Sequence, residues 1–471
     1  MSLPIEDPTR FRRSARSENP HEIKPRYCVW EITLACDLGC KHCGSRAGNT
    51  RDHELTTAQC IEVVEQLKEG GFTEVTLIGG EAYLRPDWDI IAAAITKRGM
   101  SCSMATGGRG MDAERVKRAE DAGMSHISFS LDGLEATHDA QRGVQGSWRA
   151  AVEGMERVAR SSMNLGMNSQ INRLSAPELP ALAQLLVDMG GKGWQMQLTV
   201  PMGRGADRPR LLLEPYELLD VFPLLAWIKT ERLRPHGVGL FPGNNVGYFG
   251  PYEEILRYGG QVGTHWTGCH AGRHCVGIEA DGKIKGCPSL PSDHFTGGYT
   301  HEARAQTSMG GHVKVVDAMR DAPEINHSRL RSREDLWGYC ATCYYADVCL
   351  GGCTWTAHCT MGRAGNNPFC IHRAMEHEAR GLRERLVRVE PPPGRPFDNG
   401  RFEIIVEEWP ADELAEGIEG AGAPPPSFLG FPLERLLALD WRGPSVWDDA
   451  RRREILKREA RDGDLVMISE P

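Results

Sequence analysis

The first half of the chain alternates short β-rich runs with longer segments of helical periodicity. Six runs indicate strands: CVWEITLA from Cys28, EVTLIG from Glu74, SCSMAT from Ser101, HISFSL from His126, NLGMNSQI from Asn164 and WQMQLTV from Trp194. Their regular alternation with helical segments indicates a parallel sheet. Because a closed barrel needs eight such units, the pattern predicts an α/β fold with an open, partial (β/α)6 barrel of parallel strands.

The segment TTAQCIEVVEQLKEG, after the first strand, shows the helical pattern. Ile61, Val64 and Leu67 recur at three-residue spacing with Val63 beside them, so we expect these side chains to form the buried stripe of a helix. A further helical segment is predicted after the sixth strand, from Pro215 to about Glu231.

The pattern changes near Gly237, where periodicity fades and nine of the 15 cysteines follow between Cys269 and Cys370. A chain of 471 residues exceeds a single hydrophobic core. The predicted divisions are an N-terminal extension (1–26), the barrel core (27–236), a C-terminal cysteine-rich domain (237–390) and a C-terminal extension (391–471). The last contains one strand candidate, FEIIVEE, and one charged helix candidate, DDARRREILKREARDG.

Composition narrows the classes of function. No apolar run approaches the roughly 18 residues that span a bilayer, so no membrane partner is predicted. The formal charge of -9 argues against nucleic acid, because that binding depends on neutralising phosphates with Lys and Arg. The N-terminus lacks the apolar core of a secretory signal, which predicts a cytoplasmic protein with reduced thiols.

Three cysteines form the motif CDLGCKHC directly after the first predicted strand, where barrel enzymes build active sites. Cys36, Cys40 and Cys43 on a four-iron cube would leave one iron without a protein ligand. That iron could then bind a small molecule. The alternative is a zinc site that recruits His42 or His53 as a further ligand.

This spacing, with three and then two residues between cysteines, resembles the defining motif of the radical S-adenosylmethionine superfamily. The resemblance implies that Cys36, Cys40 and Cys43 hold a 4Fe-4S cluster whose open iron binds S-adenosylmethionine. It also implies that one-electron reduction gives a 5'-deoxyadenosyl radical, which takes a hydrogen atom from the substrate. A reductant such as flavodoxin or ferredoxin would be a partner.

Other residues at strand ends resemble that family's cofactor contacts. The GGE segment after the second strand implies contacts to the methionine amino group, with glycines permitting close approach. The FSLDG segment and the arginine of HDAQRG imply contacts to the ribose and carboxylate, and the fifth strand offers further ribose contacts. The resulting cofactor-binding candidates are Gly79, Gly80, Glu81, Ser130, Asp132, Arg142 and Asn168, with Gln170 as a weaker candidate.

The C-terminal cysteines resemble the SPASM domain, the auxiliary-cluster module of peptide and protein maturases, over roughly 268–372. The resemblance implies two auxiliary 4Fe-4S clusters with interleaved ligands, three clusters in all. The ligands would be Cys269, Cys275, Cys287 and Cys353 for the first auxiliary cluster, and Cys340, Cys343, Cys349 and Cys370 for the second. The alternative is a pair of zinc sites with four thiolates each.

Four cysteines remain outside these sets. Cys28 and Cys102 lie in strand patterns and Cys60 lies in a helical one, so we expect all three in the core. Cys359 lies close in sequence to the auxiliary ligands. Besides core packing, it therefore has a second interpretation, as a hydrogen-atom donor or a substrate contact.

Auxiliary clusters favour net oxidation of the substrate because they can accept the electron left after hydrogen abstraction. The SPASM resemblance implies a peptide substrate, most often a ribosomally made precursor that is crosslinked or otherwise modified. Two alternatives are a radical dehydrogenase acting on a small molecule or protein side chain, and a non-catalytic iron-sulfur electron carrier. Only about 26 residues precede the first strand, too few for a leader-binding domain, so a leader would bind elsewhere, with 400–471 as one candidate.

Overall fold

The computed structural model describes residues 19, 21–246, 248–258, 266, 268–302 and 306–408. The charged helix candidate DDARRREILKREARDG lies outside the described residues, as does most of the N-terminal extension. Among the described helices, none combines the length and apolar character needed to cross a bilayer.

Most strands of the described region belong to one sheet, with strand order β10-β9-β8-β1-β2-β3-β4-β5-β6-β7. Its strands are β1 (Tyr27–Glu31), β2 (Glu74–Ile78), β3 (Ser101–Thr106), β4 (His126–Ser130), β5 (Asn164–Ile171), β6 (Gly193–Leu198), β7 (Gly239–Pro242), β8 (Cys275–Ile278), β9 (Lys283–Lys285) and β10 (Thr296–Tyr299). A separate antiparallel ribbon contains β11 (Leu382–Glu390) and β12 (Arg401–Glu408).

Helices alternate with the strands in the first half and become short in the second. They are α1 (Thr57–Glu69), α2 (Trp88–Lys97), α3 (Ala113–Asp121), α4 (Glu135–Arg142), α5 (Ser147–Ala159), α6 (Leu179–Asp188), α7 (Arg204–Asp207), α8 (Leu218–Trp227), α9 (Glu253–Tyr258), α10 (Ser292–Phe295), α11 (Val315–Asp321), α12 (Pro323–Asn326), α13 (Tyr339–Thr342), α14 (Ala346–Cys349), α15 (Thr354–Met361) and α16 (Ile371–Glu378).

The six predicted strands are confirmed as β1 to β6, all parallel. The sheet also contains two parallel strands that the sequence did not predict. β7 pairs with β6, and β8 pairs with β1 with Tyr27 opposite Cys275. The parallel sheet thus continues into segments that were assigned to the cysteine-rich domain. β8 connects that domain directly to the first barrel strand.

Helix α1 packs against the sheet through a stripe that differs by one residue from the prediction. Thr56 begins it with a capping box in which its hydroxyl accepts from the Gln59 N–H. The buried side chains include Cys60, Val63 and Leu67, whereas Ile61 is only half-buried. Small, apolar Cys60 therefore takes the core position that the spacing gave to isoleucine. The strand candidate FEIIVEE is confirmed as part of β12.

Candidate active site

The first cysteine loop, residues 36–43, connects β1 to α1 at the carboxyl ends of the parallel strands. Its Gly39 N–H donates to the Arg142 carbonyl at 2.9 Å. The thiols of Cys36, Cys40 and Cys43 interact electrostatically with one another, and burial raises the pKa of Cys36 to about 12. The loop therefore gathers three sulfur donors that would have to lose their protons to bind a metal.

A buried ion pair lies directly behind this loop. Arg142 Nη2 is 2.5 Å from Asp132 Oδ2, and Arg142 Nη1 donates to Cys40 Sγ at 3.5 Å. His42 Nε2 is 3.1 Å from the same Asp132 oxygen. Burial raises the pKa of Asp132, but Arg142 and His42 outweigh burial and hold it below its usual range. An ionised Asp132 thus orients the guanidinium toward the Cys40 sulfur.

Gly79 and Gly80 pack against the backbone that leads into the first cysteine loop. A Cβ on Gly79 would lie 2.3 Å from the Thr33 carbonyl oxygen, and a Cβ on Gly80 would lie 2.3 Å from the Ala35 carbonyl oxygen. Any larger residue would displace the segment that begins the loop. These two glycines are needed for close approach of backbone to backbone.

Glu81 follows the glycines and is buried. Its carboxylate accepts from the Thr106 hydroxyl and from the Gly107 N–H, both at 2.7 Å. Burial raises the pKa of Glu81 to about 8. Because a nearby cation would favour the ionised form, the Glu81 carboxylate is an acceptor that fits an ammonium group such as the amino group of S-adenosylmethionine.

A cavity of about 940 Å³ opens beside the loop, within the roughly 300–1,000 Å³ range of small-molecule sites. One side is formed by His42 and Ser45 from the loop region. Four of the cofactor-binding candidates line it, namely Gly79, Ser130, Asn168 and the weaker candidate Gln170. The other candidates, Gly80, Glu81, Asp132 and Arg142, are not among the residues that line it.

An inner thiol group faces the same cavity. It consists of Cys269, Cys275, Cys287 and Cys353, all of which line the cavity. Cys275 and Cys353 each interact electrostatically with both Cys269 and Cys287. The structure therefore brings together the four thiols predicted for the first auxiliary cluster, and β8 carries one of them to the edge of the barrel sheet.

An outer thiol group lies away from the cavity wall. It consists of Cys340, Cys343, Cys349 and Cys370. Cys349 and Cys370 both interact electrostatically with Cys340 and Cys343, and also with each other. Burial raises the pKa of both Cys349 and Cys370. These are the four thiols predicted for the second auxiliary cluster.

Both thiol groups offer the donor chemistry that a four-iron cube requires. In the described ranges, no three His, Cys, Asp or Glu side chains surround a single ion position. Thiolates on a cube differ from such a site because each binds a different iron. The soft sulfur donors, the open set of three and the two full sets of four therefore fit iron-sulfur clusters.

The remaining cysteines are packed in apolar surroundings. Cys28, Cys60 and Cys102 are buried in the main core, which confirms that part of the sequence analysis. Cys359 is also fully buried, in a small apolar cluster with Met202 and other side chains. Burial raises the pKa of the Cys359 thiol.

A charged network that the sequence analysis missed forms another part of the cavity wall. Arg51 bridges two buried carboxylates, with Nε 2.6 Å from Glu31 Oε1 and Nη2 3.2 Å from Glu279 Oε2. Fully buried Lys285 lies 2.6 Å from Glu279 Oε1 and 3.8 Å from the Phe397 ring centroid. Burial raises the pKa of Glu31, whereas Lys285 and Arg51 outweigh burial and hold that of Glu279 at about 2.

The connection between β11 and β12, residues 391–400, reaches back to the first cysteine loop and is called the strap here. The Phe397 N–H donates to the Gly44 carbonyl at 3.1 Å. Arg46 Nε donates to Asp398 Oδ1 at 2.8 Å. Phe397 has a left-handed φ of 58° and lines the cavity. The Pro-rich sequence predicted a boundary here but gave no indication that the segment enters the site.

The family profile described as Radical SAM superfamily matches residues 30–169. The AdoMet-dependent heme synthase of Methanosarcina barkeri is 27% identical over 362 residues, covering 74% of this chain and 97% of that protein. The mycofactocin maturase MftC of Mycobacterium ulcerans is 28% identical over 356 residues, covering 74% of this chain and 89% of that protein. The solved structure of native anSMEcpe with bound AdoMet and Cp18Cys peptide has a TM-score of 0.55 and 14% identity, covering 75% of this chain and 95% of that one, and supports the partial-barrel fold.

Proposed function

This chain carries a radical SAM domain and has homologues among peptide maturases, and we propose that it is a SPASM-type enzyme that oxidatively modifies a peptide. The preferred substrate is a ribosomally made precursor. The observation that carries the proposal is the position of the cavity, between the first cysteine loop and the inner thiol group. A substrate bound there would lie between two prospective redox centres.

In this proposal the cysteines hold three 4Fe-4S clusters, one on the first cysteine loop and one on each C-terminal thiol group. When bound, these clusters and S-adenosylmethionine supply the electron, the 5'-deoxyadenosyl radical and the acceptor for the substrate's electron. Arg142 stabilises the Cys40 thiolate through its hydrogen bond, and Asp132 fixes the guanidinium in place. Glu81 would hold the amino group of the cofactor, while Ser130 and Asn168 would offer polar atoms to its ribose.

The cavity wall supports a peptide as the substrate. Amide side chains in the lining include Asn168, Gln170, Gln195, Gln197 and Asn244. Each amide presents both donors and an acceptor, so it can pair with the N–H and C=O groups of a peptide backbone. Trp355 and Phe397 add flat apolar surface for a side chain.

A tetrapyrrole is the second candidate substrate. It is favoured by the heme synthase relative, which this chain matches over 97% of that protein's length. Fe-coproporphyrin III synthase of Methanosarcina barkeri is a further relative, at 29% identity over 186 residues. Both substrate classes require the same first cysteine loop, so substrate trials are needed to choose between them.

The test presents both candidates to one enzyme. Anaerobically reconstituted protein with dithionite and S-adenosylmethionine is incubated with a peptide encoded beside its gene or with Fe-coproporphyrin III. Our proposal predicts a peptide product that has lost hydrogen, detected by mass spectrometry, and its absence with Cys36→Ala/Cys40→Ala/Cys43→Ala protein. Turnover of the porphyrin alone would replace the peptide with the second candidate.

A further inference from the structure

Arg331 is a buried arginine within electrostatic reach of both the inner and the outer thiol groups. Its side chain belongs to a residue that is only 8% exposed. It interacts electrostatically with Cys269 and Cys353 of the inner thiol group and with Cys349 of the outer one. Cys340 of the outer thiol group interacts with it as well. One guanidinium therefore acts on ligands proposed for both auxiliary clusters.

The hydrogen bonds of Arg331 fix it to the segment that joins the two thiol groups. Its Nη1 donates to the Leu350 carbonyl at 3.2 Å, and its Nη2 donates to Thr354 Oγ1 at 2.8 Å. Leu350 directly follows Cys349 of the outer thiol group, and Thr354 directly follows Cys353 of the inner one. Both acceptors are neutral, so they hold the guanidinium beside the two thiol groups without compensating its charge.

The charge of Arg331 has no carboxylate at ion-pair distance among the described residues. Asp335 interacts with it electrostatically, but Asp335 is exposed and its Oδ2 accepts from the Ser332 N–H at 2.7 Å. Arg373, a second buried arginine near the outer thiol group, differs because it pairs with buried Glu384 at 2.6 Å. The charge of Arg373 is therefore compensated within the fold, whereas that of Arg331 is not.

A buried cation of this kind costs free energy, because it loses its hydration without gaining a counterion. The two thiol groups would supply the missing negative charge when their cysteines bind iron as thiolates. A 4Fe-4S cube with four thiolate ligands is anionic, and it becomes more negative when it accepts an electron. A fixed positive charge nearby therefore favours the reduced form and raises the reduction potential.

We propose that Arg331 is the shared counterion of the two auxiliary clusters, and that its charge raises their reduction potentials so that they can accept the electron of the substrate. This inference rests on the proposed function, because it requires clusters on both thiol groups. The substrate radical is oxidised by one electron and an auxiliary cluster is reduced by one, with no bond formed to Arg331. Arg331 is thus a positioning residue, which acts through the clusters and not on the substrate.

The test measures reduction potentials and not turnover. The parent is reconstituted full-length Cys36→Ala/Cys40→Ala/Cys43→Ala protein, which lacks the first cluster, so that electron paramagnetic resonance reports the auxiliary clusters alone during a redox titration. In this parent, Arg331→Gln removes the charge but keeps an amide donor, whereas Arg331→Lys keeps the charge. Arg333→Gln is the matched control, because Arg333 is exposed and pairs with exposed Asp347 at 3.0 Å.

We expect Arg331→Gln to shift the auxiliary midpoints to more negative potentials. At a fixed potential, the ratio of reduced to oxidised auxiliary cluster should fall at least about tenfold, because a unit charge is lost in a poorly screened interior. Arg331→Lys and Arg333→Gln should stay close to the parent. An unchanged ratio in Arg331→Gln protein, or equal falls in the glutamine and lysine variants, would overturn the inference.

Iron analysis covers a variant that does not load. If Arg331→Gln protein loses its auxiliary iron, retention of that iron by Arg331→Lys protein would support the role of the charge, and loss by both variants would overturn it. Absence of iron from both thiol groups of the parent would overturn the three-cluster part of the proposed function, and this inference with it. Failure of fully loaded wild type to modify a peptide would overturn the peptide proposal alone, since the potentials are measured without substrate.

Discussion

The two cysteine regions of this molecule are assembled in different ways. Cys36, Cys40 and Cys43 lie on one short loop, and neighbouring strand ends support it through Gly79, Gly80 and the Asp132–Arg142 pair. The inner and outer thiol groups instead collect cysteines from segments spread between residues 269 and 370. The first region is therefore specified locally, whereas the second depends on the completed tertiary fold.

The two cysteine regions are also connected to each other through the barrel sheet. β8 pairs with β1, so the inner thiol group is fixed to the same sheet that carries the first cysteine loop. The strap makes a second connection through Arg46 and Asp398. These two connections set the separation between the regions and enclose the cavity between them.

The largest expected effect comes from breaking the first region alone. Cys40→Ala should abolish 5'-deoxyadenosine formation, because it removes one of three sulfur ligands and the acceptor for Arg142. Iron content should fall from about twelve to about eight per chain, since the other two clusters keep their ligands. Cys102→Ala, at a buried core thiol, is the control and should retain both iron and cleavage. Full cleavage by Cys40→Ala protein would refute this assignment.

Breaking the inner thiol group should separate cofactor cleavage from substrate oxidation. Cys287→Ala should lose about four irons and the modified peptide, while cleavage of S-adenosylmethionine without substrate continues. The reason is that Cys287 lines the same cavity as His42 of the first cysteine loop, so its cluster would lie beside the bound substrate. Iron analysis and mass spectrometry of peptide and nucleoside measure the two outcomes. A variant that still completes peptide oxidation would show that this group is not needed for it.

The strap offers a smaller change that tests the connection between the regions. Asp398→Asn should destabilise the protein by about 1–3 kcal/mol, because a buried charged hydrogen-bond acceptor of Arg46 is weakened. Hydrogen exchange should increase in the first cysteine loop as well as in the strap. Asp293→Asn is the matched control, because Asp293 pairs with Arg395 of the same strap on the exposed surface. Similar effects of the two variants would show that the Arg46 contact does not anchor the loop.

The smallest effect is a pH dependence that belongs to the first region. Burial, with Arg142 adding to it, lowers the pKa of His138 from 6.5 to about 3, and its Nδ1 accepts from the Asp132 N–H. Below pH 6.5 the unfolded chain binds a proton that the folded chain excludes, so stability falls with decreasing pH by up to about 1.4 kcal/mol per unit. His138→Gln should flatten this slope between pH 6.5 and 5.5 in denaturant titrations.

Exposed His53 supplies the comparison for that measurement. His53→Gln should leave the slope of stability against pH as it is in wild type. An unchanged slope in His138→Gln would mean that the buried ring does not contribute to acid sensitivity.

The sequence predicted the six central strands because each is a buried run bounded by turns. It missed β7 and β8, which have only four residues each and depend on pairing with distant partners. It also misplaced one core position of α1, where Cys60 rather than Ile61 faces inward. Periodicity fixes which face is buried, but tertiary packing decides between adjacent positions.

The candidate site was predictable to the extent that its motifs are local. The first cysteine loop follows from spacing, while the grouping of the eight C-terminal thiols came from family resemblance and not from their spacing alone. Glu31 was missed because it lies in an otherwise strand-like run, although a buried glutamate in such a run indicates a charged partner. The partner, Arg51, and the strap residue Phe397 are brought to the cavity only by the complete fold.

The most direct test of the account counts metal and follows cofactor cleavage in one preparation. The protein is reconstituted anaerobically, iron and sulfide are measured, and dithionite and S-adenosylmethionine are added before mass spectrometry. The account predicts about twelve irons per chain and 5'-deoxyadenosine that disappears in Cys36→Ala/Cys40→Ala/Cys43→Ala protein. Zinc in place of iron, or no cleavage by fully loaded protein, would contradict it.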